Sequence, residues 1–239
     1  MQQNPIDEKT YCEYLSLIAG GKAGLENWER NLRDELGDCS ETCAVVFNSN
    51  PLTIGGRYLA EIAARRSRRV LVFVIQGKTD SGSHGNHEEK IIEFPFETRF
   101  AMTRKALSDL KNVLVLPSGP YLIGRDDFPE GYLSGSLGAA HAHGFLDGMV
   151  FCHICNALGI RSAYAGDEPR DEMSEIHLNT LRQICAQSGI VLKVAERKRI
   201  GDKYISSSMV RKALAAGDME TVARLVPAEV LPYLSGHSA

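Results

Sequence analysis

The chain has 239 residues, 44% hydrophobic and 24% charged, with a formal net charge of -3, the balance of a folded globular protein long enough for one large α/β domain. That charge argues against a protein built to grip a nucleic-acid backbone, which needs clustered Lys and Arg, and no apolar run reaches the roughly 18 residues of a membrane span. The amino terminus lacks the basic-then-apolar order of a signal peptide, so the expected location is the cytoplasm, with the six cysteines as reduced thiols.

In chain order, residues 1–38 read as a helical extension with helices over 11–19 and 25–36, broken at "GGKAG". The second carries Leu25, Trp28, Leu32 and Leu36 at helical spacing, so one stripe faces a core. From residue 39 the pattern changes. "CAVVFN" from Cys43 and "RVLVFVIQ" from Arg69 are continuous, β-branched apolar runs separated by a helix over 57–66. Such strands, alternating with helices, predict a parallel sheet covered on both faces. A polar loop over 77–90 follows, with His84 and His87, then a helix from Phe96, a strand at Asn112 and an irregular stretch over 119–133. A helix from about 143 to 158, a strand at Arg161, a helix over 172–187, a strand at Val191 and two final helices about Gly217 complete residues 39–239, read as one domain. The pairs Cys39/Cys43 and Cys152/Cys155, with His153, would supply zinc ligands on paper; the spacing fits small core residues better.

In open parallel sheets ligands bind beyond the carboxyl ends of the strands, where helices begin. Four segments fall there. The first, "VVFNSNPLTIGGRY", couples an apolar strand to a glycine turn and a helix start; its candidates are Phe47, Asn48, Asn50, Thr53, Gly55, Gly56 and Arg57. Backbone N–H groups and the positive end of a helix dipole there suit an anion. The second, "FPFETR", offers Glu97 and Arg99, and the third, "AGDEP", offers Gly166, Asp167 and Glu168 beside a ribose, base edge or Mg²⁺. In the fourth, "ISSSMVR", one of Ser206, Ser207 and Ser208 caps a helix and Arg211 lies one turn on, a set of donors matched to a phosphate chain.

These segments, with the irregular "GPYLIGRDDFP" between them, resemble in order and spacing the nucleotidylyltransferase domain of citrate lyase ligases, members of the nucleotidylyltransferase superfamily whose first turn is His-x-Gly-His. The resemblance covers roughly residues 43–234 and implies a Rossmann-like, doubly wound parallel sheet of the nucleotidylyltransferase (HUP) type behind the helical extension. It implies ATP with Mg²⁺ as cofactors, activation of a small carboxylate such as acetate as an acyl-adenylate, and transfer to the thiol of an acyl carrier protein. Neither nucleic acid nor membrane is an expected partner. Thr53, Arg57, Ser207 and Arg211 would be catalytic, the first, third and fourth segments would hold the nucleotide, and Arg99, Tyr121 and Arg125 would meet the second substrate. Thr53 agrees with the ligase branch, whereas the last His of the turn is Gly56, which keeps only a backbone N–H; Arg57, His84 or His87 would have to fill that gap. The acetyltransferase-like domain that often precedes this domain has no counterpart in the two short helices. Two alternatives stand beside this reading: transfer of a nucleotidyl group to a small phosphate ester, and a non-catalytic nucleotide binder.

Overall fold

A computed structural model describes residues 8–17, 20–76, 92–122, 136–167 and 172–235. Strands β1 (Thr42–Phe47), β2 (Arg69–Val74), β3 (Val113–Pro117), β4 (Ser162–Gly166) and β5 (Val191–Ala195) form one sheet in the order β3-β2-β1-β4-β5. All four pairings are parallel. The central strand is deeply buried: Val45 of β1 has no exposed surface and pairs with Val72 on one side and Tyr164 on the other. The chain leaves β1 outward through β2 and β3, then returns to the opposite side for β4 and β5. The reversal puts a crevice at the carboxyl ends of β1 and β4, the place where such sheets bind ligands.

Helices cover both faces, as the continuous apolar strands require. One face carries α1 (Glu8–Leu17), α2 (Gly21–Leu36), α5 (Ser136–Ala157) and α6 (Glu172–Gln187), whose Tyr14, Leu25, Ile154 and Ile184 share a core with Leu71 and Phe73. The other carries α3 (Ile54–Arg66), α4 (Phe96–Ala106), α7 (Ser207–Ala215), α8 (Met219–Leu225) and α9 (Leu231–Leu234), packed over Val45, Val70 and Val72. The amino-terminal helices thus bury their apolar stripe in the same core as the sheet. A two-stranded antiparallel hairpin, β6 (Arg199–Ile200) with β7 (Lys203–Tyr204), stands between β5 and α7.

Several boundaries differ from the sequence reading, the first helix among them, which starts at Glu8 ahead of the expected residue 11. The break at "GGKAG" shrinks to a left-handed turn at Gly20 (φ 79°), and α2 continues from Gly21. α3 starts at Ile54, with Thr53 as its cap, ahead of the expected residue 57. α5 starts at Ser136, well before residue 143, because "SLGAAHAH" has one large apolar residue, Leu137, and so shows no stripe. Cys39, Cys43, Cys152, Cys155 and Cys185 are buried free thiols, with 3.7 Å between the Cys152 and Cys185 sulfurs.

Candidate active site

The turn after β1 is fixed from three sides. Thr53 caps α3 by accepting from the Gly56 N–H at 3.2 Å. From α7, Ser207 Oγ donates to the Pro51 carbonyl at 2.9 Å and Arg211 Nη1 donates to the Asn50 carbonyl at 2.7 Å. Residues more than 150 positions apart in sequence are therefore joined. Ser206 caps α7 through the Met209 N–H, so the first turns of α3 and α7 converge, each with backbone donors that no residue inside its own helix can satisfy.

From α4, Arg99 supplies the third support. It has no exposed surface; its guanidinium donates to the carbonyls of Asn48 (2.6 Å), Ile75 (2.9 Å) and Phe94 (3.0 Å) and to Asn48 Oδ1 (2.9 Å). Asn50 Oδ1 accepts from the Phe94 N–H at 3.1 Å. One buried cation thus gathers the ends of β1, β2 and the α4 entry.

Beside this turn lies a cavity of about 400 Å³, the size of a small-molecule site. It crosses the carboxyl edge of the sheet. On the α3 and α7 side its wall includes Phe47, Asn48, Thr53, Gly55, Gly56 and Ser207. At the ends of β4 and β5 it meets Gly166 and Arg197, and on the other face α5 and α6 contribute Asp147, Phe151 and His177. Arg197 Nε donates to the Ile205 carbonyl (3.1 Å) and Nη1 to the Asp167 carbonyl (3.4 Å), tying β4 to the entry of α7. Lys198 lies over Tyr58 and Lys193 over Tyr164, both tyrosines being on the wall.

Several expected residues are elsewhere. Arg57 was expected to reach a phosphate; it turns away, pairing with Asp109 at 2.6 Å and Glu61 at 3.0 Å and donating to the Ala106 carbonyl. Asp109, foremost through its hydrogen bond, holds the guanidinium pKa above its usual value. Arg99 is a buried support for the turn and has no surface to offer a substrate. Tyr121 packs against Trp28 of α2, ring centroids 5.6 Å apart, and burial raises its phenol pKa. Asn50 and Ser206 are buried supports, while Ser208 is exposed and Arg211 half-buried beside the wall. Arg125, Glu168, His84 and His87 lie outside the described residues. Gly56 is no vacant slot either: a Cβ there would come within 2.8 Å of Leu52 Cδ1, so leucine fills the space a side chain at 56 would use.

The sequence reading passed over Tyr58, Asp147, His177, Glu196 and Arg197. A signal existed for Asp147, the only Asp, Glu, Lys or Arg in the 22 residues of α5. His177 gives none, since it sits in an ordinary amphipathic helix.

Fold and cavity define a Rossmann-like α/β protein of the nucleotidylyltransferase (HUP) type. The chain belongs to the citrate lyase ligase C-terminal domain family, whose profile matches residues 42–234. The [Citrate [pro-3S]-lyase] ligase of Escherichia coli K12 is 30% identical over 226 residues, 92% of this chain and 61% of that protein. The Haemophilus influenzae protein of the same name is 28% identical over 197 residues, 80% of this chain and 55% of its own. The chain thus spans 55–61% of the length of these relatives. Among solved structures, the pantoate-beta-alanine ligase of Francisella tularensis complexed with beta-gamma ATP and beta-alanine superposes with a TM-score of 0.51 at 16% identity, covering 82% of this chain and 73% of that one. Thermotoga maritima TmcAL bound with alpha-thio ATP gives 0.52 at 13%, covering 82% and 55%. At such identities the likeness concerns the fold.

Proposed function

We propose that the chain catalyses ATP-dependent adenylyl transfer, activating a small carboxylate, acetate in the first instance, as an acyl-adenylate that then acylates the thiol of a carrier protein. The observation that carries this reading is the convergence of two capped helix starts, α3 and α7, on one turn beside a cavity, joined by Arg211 and Ser207. The acid and the carrier follow from the resemblance to citrate lyase ligases, the name that the relatives bear.

The carboxylate oxygen attacks the α-phosphorus, the bond to the bridging β-phosphate oxygen breaks, and pyrophosphate leaves. In the second half the carrier thiolate attacks the acyl carbon and AMP leaves. The protein's part in such chemistry is positioning and charge stabilisation. In this reading the amide of Gly55 faces the α-phosphate, and Thr53 fixes the first turn of α3 by accepting from the Gly56 N–H. Ser207, Ser208 and Arg211 take the β- and γ-phosphates, and Gly166 and Asp167 the adenosine. Mg²⁺ would travel on the phosphate oxygens, since among the described residues no three His, Cys, Asp or Glu converge as an ion site. In this reading the donors at the start of α7 carry transition-state charge, Arg57 being paired with Asp109 and Glu61.

Acetate-dependent exchange between labelled pyrophosphate and ATP tests the proposal. Exchange supports it; ATP binding without exchange supports a non-catalytic binder, and turnover only with a phosphate ester supports the other alternative. Arg211→Ala should weaken ATP binding about 10- to 100-fold in calorimetry, the worth of a charge-assisted hydrogen bond; unchanged affinity would remove Arg211 from the site.

A further inference from the structure

α5 is an apolar helix on one sheet face, and the one Asp, Glu, Lys or Arg of its sequence, Asp147, lies in the cavity wall. One turn earlier on the same helix, Gly144 makes room for the imidazole of His177 from α6. A Cβ at 144 would lie 2.8 Å from His177 Nδ1 and 3.5 Å from His177 Cα. Across a helix pair packed this closely, an acid and an imidazole stand at the same end of the cavity, on the face of the sheet opposite α3 and α7. Ile75, Leu122, Phe151 and Leu181 are apolar residues of the same cavity wall. An imidazole beside apolar walls fits a small aliphatic acid, whose carboxylate needs a donor and whose alkyl group needs dry walls.

The geometry points to this end of the cavity as the subsite for the acid, with His177 donating to the acid's carboxylate and Asp147 as the residue that positions the imidazole. It rests on the adenylyl-transfer reading: the nucleotide occupies the helix starts and the acid reaches the α-phosphorus over the sheet edge. Phe151 and Leu181 set the chain length accepted.

The test is steady-state pyrophosphate release with ATP and acetate varied separately. His177→Ala should raise the KM for acetate about 10- to 100-fold, leaving the KM for ATP within twofold of the parent. Asp147→Asn should raise the acetate KM less, and His177→Gln, which keeps a donor, should restore part of the loss. Leu181→Ala should shift preference from acetate toward butyrate. An unchanged acetate KM in His177→Ala, with exchange intact, overturns the assignment. If the parent protein shows no acetate-dependent turnover, the adenylyl-transfer reading fails instead. The subsite is then read by line broadening of ¹³C-acetate with ATP-loaded protein. Broadening lost in His177→Ala supports the subsite; equal broadening in parent and variant, or none in the parent, refutes it.

Discussion

Arg99 shows how far a side chain's chemistry depends on its depth. The guanidinium fork that makes Arg a phosphate ligand at a surface becomes, with no exposed area and three backbone carbonyls in reach, a cross-link between β1, β2 and α4. Replacing it with Met would leave the charge-accepting carbonyls of Asn48, Ile75 and Phe94 buried without their donor. Arg99→Met should therefore lower unfolding stability by about 3 kcal/mol or more, read from the midpoint of urea denaturation. Lys at 99 should recover only part, lacking the fork. A loss under about 0.5 kcal/mol would show that the turn does not depend on this residue.

At the scale of elements, the turn between β1 and α3 departs from the superfamily pattern at Gly56, and Leu52 packs against that position. Gly56 has no side chain and Leu52 occupies the volume one would need, with Cδ1 2.8 Å from the missing Cβ. Restoring His at 56 is consequently a packing problem before it is a catalytic one. Gly56→His alone should cost about 1–3 kcal/mol through overpacking. Combined with Leu52→Ala it should show a favourable coupling of about 0.5–3 kcal/mol in a double-mutant cycle. Additive effects in thermal unfolding would mean that the loop moves aside freely. Much at this scale was legible in the chain: the cap residues Thr53 and Ser206 and the glycine turn stand where periodicity stops. The hydrogen bonds of Ser207 and Arg211 to the Pro51 and Asn50 carbonyls were not, since no local pattern encodes a contact between the two ends of a chain.

For the molecule as a whole, the amino-terminal helices are bound into the sheet's core, and one polar link accompanies the apolar contact. His153 Nε2 of α5 lies 3.3 Å from Glu29 Oε2 of α2, a carboxylate that is 3% exposed. The hydrogen bond to Glu29, ahead of the burial that opposes it, raises the His153 pKa above its ordinary 6.5. A group whose folded pKa is raised binds its proton more tightly in the folded state. Its stabilisation is thus complete below about pH 6.5 and is lost as pH rises through the folded value. Melting temperature should therefore fall between about pH 6 and pH 8 more steeply in the parent than in His153→Gln. Parallel pH profiles for the two proteins would refute the link. Among the described residues no helix is long and apolar enough to cross a membrane.

Composition and periodicity determined the parallel sheet, its two helical layers and the positions of the glycine and serine turns, because continuous apolar runs and cap residues are local signals that hydrophobic burial and backbone hydrogen bonding must obey. Tertiary structure decided which polar side chains face the cavity. Arg57, Arg99 and Tyr121 lie in motif segments yet point into ion pairs, carbonyl clusters or the helical layer, whereas Asp147 and His177 lie in plain helices yet both line the cavity at the sheet edge. The physical reason is that a helical period fixes the direction a residue takes from its own axis, and only the packing of helix on helix fixes what lies in that direction.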